Sequence, residues 1–286
     1  NRWSTLQLRK GETRRQLNAD IDQGVPSVIT NVQVSEQLRL SKMLQGHTVQ
    51  VAYIGQPDQA SFEMTAAELI QAYEAENRNL KLECYPRDTR FAKVHPSAFR
   101  EFVQKVLTYF PHAEGQALDI YCFFPQERAP PDLGAKLFCL TGSGWTPLHR
   151  DMAAACNLHI HGAKAIWLII PQEHTQTVLK YLAQKEGCDS YTHAIQRLVL
   201  DNEDLRRLVE LGVTYYIVEQ MPGEIVSIPP NCFHQVWNVG ANFKLAHDYV
   251  HLRHLLSQLE LRAEVVGIGR HDVTHPRVED GCILQI

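Results

Sequence analysis

Trp145-Thr146-Pro147-Leu148-His149-Arg150-Asp151 is the stretch on which the reading of this chain turns. Side chains two apart on a strand point to the same face, so an extended stretch here presents the imidazole of His149 beside the carboxylate of Asp151. A second histidine follows downstream in Ile228-Pro229-Pro230-Asn231-Cys232-Phe233-His234. A returning strand that brings His234 to the first pair completes two imidazoles and a carboxylate on one side of a metal ion. That set leaves coordination positions open for a keto acid and dioxygen, the arrangement expected of non-haem Fe(II) centres.

Spacing alone does not single out these residues, because the chain has 14 histidines and 32 acidic side chains. His149 and His234 read equally well as ordinary polar residues at strand ends until their context is considered. Thr146 stands just before His149, and Lys164 opens the apolar run Ala165-Ile166-Trp167-Leu168-Ile169-Ile170. If a turn and an adjacent strand bring Lys164 into the same cavity, its ammonium and the Thr146 hydroxyl suit the far carboxylate of a keto diacid. A buried carboxylate needs a cation and hydrogen-bond donors of this kind. Lys164 taken alone reads also as a solvated lysine at a strand edge.

Composition narrows the class. With 286 residues the chain can bury a large core, and 44% hydrophobic with 21% charged residues is the balance of a soluble globular protein. A net charge of -4 gives no basic footprint for direct contact with nucleic acid. The seven cysteines are dispersed without a Cys-x-x-Cys pair, which argues against a zinc ribbon or disulfide framework and for reduced thiols in a nuclear or cytosolic compartment. No apolar run approaches the length of a membrane span, and no signal peptide is evident. A start at Asn1 without methionine reads as a piece cut from a longer protein.

Along the chain, Gly24-Val25-Pro26-Ser27-Val28-Ile29-Thr30 reads as a turn into a short buried strand, and Thr65-Ala66-Ala67-Glu68 as a capping box opening a helix to about Glu76. Pro96 precedes a second helix whose Phe99, Phe102, Val103, Val106 and Phe110 recur at helical spacing, a stripe expected in the core. From about Ala117 the pattern changes to short strands: Leu118 to Phe124, Lys136 to Leu140, Leu158 to His161, Ala165 to Ile170, Tyr215 to Glu219, Glu224 to Ile228 and Phe243 to Val250. Residues 172 to 211 read as a helical insertion ending at Gly212, and residues 251 to 261 as a further helix. The fold expected is mainly β with helices (α+β), a jelly-roll core. One catalytic unit spans 1–286, with mixed support at 1–115, the core at 116–252, and a C-terminal helix and tail at 253–286.

His149-Arg150-Asp151 also spells the start of a kinase catalytic loop. That reading fails, because no Gly-rich loop precedes it, no Asp-Phe-Gly follows it, and Asn157 falls one residue too far away. His159 and His161 read as pocket-wall or surface residues, and His247 is not expected to be a ligand.

From Leu118 to Leu256 the chain resembles the JmjC family of Fe(II)- and 2-oxoglutarate-dependent oxygenases. The carriers are Thr146-Pro147-Leu148-His149-Arg150-Asp151, Asn157, Gly162-Ala163-Lys164, Pro222-Gly223-Glu224-Ile225-Val226-Ser227-Ile228-Pro229-Pro230, and His234-Gln235-Val236-Trp237-Asn238. The branch it looks most like, through Pro131 to Lys136 and His234 to Val250, is that of histone lysine demethylases. The resemblance implies a double-stranded β-helix of the cupin type, with His149, Asp151 and His234 on Fe(II) and Thr146 and Lys164 on the far carboxylate of 2-oxoglutarate. It adds Asn157 and Tyr121 as pocket-lining residues, although Asn157 could equally cap a turn and Tyr121 could belong to the core.

The implied reaction consumes 2-oxoglutarate and O2 and hydroxylates an N-methyl group of a methylated histone tail or other protein, releasing formaldehyde, succinate and CO2 in the nucleus. A JmjC protein hydroxylase with the same oxidant, or an inactive chromatin-binding scaffold, are the rival readings.

Overall fold

The computed structural model describes residues 25–30, 48–53, 62–75, 82–84, 135–141, 144–151, 154–187 and 198–249. Two antiparallel sheets dominate. Strands β1 (Ser27–Ile29), β2 (Thr48–Tyr53), β3 (Phe62–Thr65), β4 (Leu82–Cys84) and β5 (Ala135–Thr141) belong to the larger sheet, with α1 (Ala66–Glu74) between β3 and β4. Strand β6 (Gly144–Arg150) opens the smaller one, β7 (Ala154–Gly162) returns to the larger, and β8 (Ala165–Ile170) goes back again.

A short 3-10 turn at Gln172–His174 leads to α2 (Thr175–Glu186) and α3 (Asn202–Glu210), and then come β9 (Tyr216–Gln220), β10 (Ile225–Ile228), β11 (Phe233–Asn238) and β12 (Asn242–Tyr249). The larger sheet runs β1-β10-β7-β12-β5-β4-β2-β3 and the smaller β6-β11-β8-β9. This alternation of strands between two antiparallel layers is what a jelly-roll core requires.

Alternation along the smaller sheet decides what each face meets. Trp167, Ile169, Val218 and Val236 pack with Val226 and Ile228 of β10 in one buried cluster, so that face looks across to the larger sheet. Leu148, Leu168, Ile170 and Phe233 pack instead with Val178 and Leu182 of α2 and Leu208 of α3. The helical insertion is therefore the layer that covers the back of the smaller sheet. At roughly 25 cal/mol per Å² of apolar surface, burying that back face is a large part of what holds α2 and α3 in place.

Local signals explain the helix ends. The Thr65 hydroxyl accepts from the Glu68 N–H at 3.2 Å while the Glu68 carboxylate accepts from the Thr65 N–H at 2.8 Å, the reciprocal capping box. Asp201 does the same for α3, accepting from Glu203 and Asp204 N–H, and Gly212 takes the left-handed φ of 83° that stops the chain beyond Leu211.

The strands expected at 136–140, 165–170, 224–228 and 243–250 are present within a residue or two at either end, and the one at 158–161 begins earlier, at Ala154. The helix expected after Pro96, the strand at 118–124 and the helix at 251–261 lie outside the described residues. Among the described residues no helix is long and apolar enough to cross a membrane.

Candidate metal centre

The two histidines arrive by strand pairing. β11 lies between β6 and β8, and His234 stands directly opposite His149 on one side and Ile169 on the other. The register between β6 and β11 shifts beyond this pair, since Val236 pairs with Thr146, so Pro147 and Leu148 together face Gln235. That is a β-bulge, and proline is well suited to it because it has no N–H to give the ladder. The Leu148 N–H turns away to the carbonyl of Leu198 at 2.8 Å. The Pro147 carbonyl lies 2.8 Å from Nδ1 of His149.

His234 repeats the device, with Nδ1 3.1 Å from the carbonyl of Cys232. A carbonyl can only accept, so each Nδ1 carries a proton and each Nε2 is the nitrogen left to face a metal. Both Nε2 atoms approach one carboxylate. His149 Nε2 lies 4.0 Å from one oxygen of Asp151, and His234 Nε2 lies 3.4 Å from the other. One ligand atom from each of the three residues falls within 4.8 Å of the others, and the imidazole centroids are 4.0 Å apart. Two imidazoles and a carboxylate, with carbonyls orienting both rings, are a donor set that fits a divalent first-row metal. Cys232 is not among the grouped ligand atoms, and burial pushes its thiol up to about 12.

Beyond the triad the same interior face turns polar. The Trp167 ring stacks on His234 with centroids 6.0 Å apart, and its indole N–H donates to Gln220 Oε1 at 2.9 Å. Lys244 of β12 is 1% exposed, its ammonium 5.5 Å over the Trp167 ring and 2.7 Å from Asn238 Oδ1. The Asn238 amide nitrogen, buried in the same place, has no hydrogen-bond partner. His159, paired opposite Lys244, is wholly buried, and desolvation followed by the Lys244 charge holds its imidazole down at about 4. A buried ammonium beside an amide donor is chemistry suited to a carboxylate.

The sequence-derived residues divide accordingly. His149, Asp151 and His234 come together. Thr146 is half-buried opposite Val236, which shares the inner face with His234. Asn157 pairs with Val226, and its side-chain oxygen is buried without a partner, so it lines the interior rather than capping a turn. Tyr121 lies outside the described residues.

Lys164 is not brought to the triad, contrary to what its position ahead of β8 suggested. It lies five positions before Ile169, the partner of His234, which is roughly 16 Å along the strand. Its ammonium pairs at 2.8 Å with Glu219, and the two side chains are 37% and 58% exposed. Lys244 is the buried candidate that sequence reasoning missed. Its signal was a lysine in the strand between Phe243 and Leu245, where an apolar residue is ordinary.

Comparison with known proteins agrees with this geometry. Residues 138–249 match the model of the JmjC domain, described as a hydroxylase. The chain is 24% identical over 263 residues to lysine-specific demethylase 3A of Gallus gallus, an alignment covering 74% of this chain and 20% of that protein. It is 25% identical over 272 residues to the Mus musculus protein of the same name, covering 77% and 20%. To C-module-binding factor A of Dictyostelium discoideum it is 29% identical over 120 residues, covering 39% and 11%. The chain thus spans about a fifth of the length of the lysine-specific demethylase 3A relatives.

Proposed function

We propose that the chain, whose residues 138–249 match the JmjC domain model, is an Fe(II)- and 2-oxoglutarate-dependent oxygenase that removes methyl groups from lysine, with a methylated histone tail as substrate. The observation that carries the proposal is the shared interior face: a metal triad of His149, Asp151 and His234 with a buried ammonium, Lys244, beyond Trp167. Fe(II), 2-oxoglutarate and O2 together supply oxidative decarboxylation to succinate and CO2 and insertion of one oxygen atom into a substrate C–H bond.

Each side chain then has a task. His149 and His234 offer Nε2 to the metal while the Pro147 and Cys232 carbonyls hold their rings, and Asp151 supplies the anionic donor. Lys244 and the Asn238 amide take the far carboxylate of the co-substrate, with Thr146 and Asn157 lining its length. Lys244 replaces Lys164 in this role, since Lys164 is engaged with Glu219 at the surface. Trp167, Ile169 and Val236 keep water from the rest of the chamber. Hydroxylation of an N-methyl carbon leaves a hemiaminal that breaks down to formaldehyde and the demethylated amine.

The demethylase reading is supported by the relatives, named lysine-specific demethylases, and a histone substrate would set the reaction in the nucleus. Mass spectrometry of a methylated histone peptide panel, incubated with protein, Fe(II), ascorbate and 2-oxoglutarate, tests it. Demethylation appears as a loss of about 14 Da per methyl, and stable hydroxylation as a gain of about 16 Da, the masses of CH₂ and O exchanged in this cofactor chemistry. A +16 product would replace the demethylase reading by a protein hydroxylase. Absence of succinate throughout would remove the oxygenase reading.

A further inference from the structure

We propose that Arg150 and Asn231 form a clasp that positions the metal ligands Asp151 and His234 and fastens them to the helical layer, an inference that rests on the metal-centre reading above. Arg150 is the central residue of His149-Arg150-Asp151, so its side chain leaves the strand on the face opposite the two ligands. There its guanidinium lies 4.9 Å from the centroid of Phe233, the cross-strand partner of Arg150 and the residue before His234. It also donates through Nη1 to Asn231 Oδ1 at 2.7 Å.

Asn231 also uses both of its backbone polar groups. Its N–H donates to the Asp151 carbonyl at 3.0 Å, and its own carbonyl accepts from the Thr175 hydroxyl, at the start of α2, at 2.9 Å. With the Arg150 bond, one residue joins the backbone of one ligand, the side chain next to it, and the first turn of the insertion. Its φ is 63°, and among the described residues it is the one non-glycine with positive φ.

That conformation is what aims the three groups in different directions. Glycine adopts it freely, and asparagine is among the few other residues that tolerate it. Glycine, though, has no side-chain oxygen for Arg150. The requirement for both a left-handed backbone and an acceptor explains asparagine at this position. β6 ends at Arg150, so Asp151 lies just past the ladder, and the Asn231 N–H holds its carbonyl where strand pairing has stopped. These are positioning residues, since neither points at the metal.

The test uses Co(II) as the probe, because its visible absorption reports both occupancy and ligand geometry. Wild type, Asn231→Gly, Arg150→Gln and the double variant are titrated with Co(II), and the unfolding midpoint of each metal-free protein is recorded. Asn231→Gly keeps the backbone and the bond to Asp151 but loses the acceptor. It and Arg150→Gln are each expected to weaken Co(II) binding about tenfold or more and to shift the visible bands, as loss of a group that orients a ligand does. The double variant should be no weaker than the worse single one, because both break the same bond.

Asn231→Asp retains an acceptor for Arg150 and should bind nearly as wild type does. Wild-type affinity and spectrum in Asn231→Gly would overturn the clasp while leaving the metal centre standing, and so would equal losses in Asn231→Asp and Asn231→Gly. Failure of the wild-type protein to bind Co(II) would overturn both.

Discussion

Lys244 and Trp167 come from different sheets, yet the Lys244 ammonium lies 5.5 Å over the Trp167 ring, whose other neighbour is the imidazole of His234. The ring thereby adjoins both a buried positive charge and the candidate metal triad. A keto diacid has the complementary form, a chelating end and a second carboxylate at a set distance.

Lys244→Met is therefore expected to raise the KM for 2-oxoglutarate by roughly tenfold to a hundredfold, from the loss of a charge-assisted hydrogen bond of about 1.5–3 kcal/mol. Lys164→Met should leave it nearly unchanged, because an exposed ion pair such as that with Glu219 contributes at most about 1 kcal/mol. Succinate formation against 2-oxoglutarate concentration measures both, and a larger effect at Lys164 would reverse the assignment.

Metal binding should appear as stability. A ligand that binds only the folded state, present at about a hundred times its dissociation constant, adds roughly 2.7 kcal/mol. Adding Fe(II) under anaerobic conditions is expected to raise the unfolding midpoint of wild type. His234→Ala should abolish the increment, and a persisting increment would place the ion elsewhere.

His159 predicts a pH dependence with a definite sign. Its folded value of about 4 lies below the ordinary 6.5, chiefly through burial and then through Lys244, against the opposing pull of the Gln220 and His161 carbonyls. Between these values the unfolded chain takes up a proton that the folded chain refuses. Stability is thus fully present above about 6.5 and declines as the pH falls toward about 4. In His159→Asn the decline should be shallower, as read from urea midpoints between pH 7.5 and 4.5; parallel declines would contradict it.

Asp204 ties the insertion together. Burial acts to raise its carboxyl, but hydrogen bonds from Lys185, Tyr181 and the Asp201 backbone N–H outweigh that and hold it below the usual range. Its side chain is 3% exposed, and Lys185 sits 2.6 Å from it. Asp204→Ala removes its half of the capping box and takes the partner from Lys185, and a destabilisation of about 3 kcal/mol is expected by denaturant titration. A change under about 0.5 kcal/mol would mean that the network is ornamental.

The ligands were legible because their information is local: His149 and Asp151 are two apart on one strand, and His234 lies in an apolar, extended stretch. The capping box at Thr65 and the helix stop at Gly212 were legible for the same reason, each being set by a side chain within one turn. Lys164 and Lys244 show where such reasoning stops. Lys164 is nearer the triad along the chain, but pairing of β12 with β7 puts Lys244 opposite His159 and inside the molecule. Which of two lysines is buried is decided by sheet order, and sheet order is a long-range property. The bulge at Pro147 and Leu148 was equally hidden, because it exists only relative to the partner strand.

The back wall formed by α2 and α3 sets a boundary for any minimal fragment. On β6 and β11 every ligand-bearing position alternates with one that faces the helices: Leu148 and Arg150 beside His149, Phe233 and Gln235 beside His234. Gln235 makes two bonds to the backbone of Leu200 in the insertion, at 2.8 and 3.1 Å. Deleting residues 172–211 as a dispensable excursion would leave the catalytic strands with one solvated side and no fixed pleat. The shortest autonomous form of this fold must therefore keep three layers, although both histidines of the candidate triad reside in one.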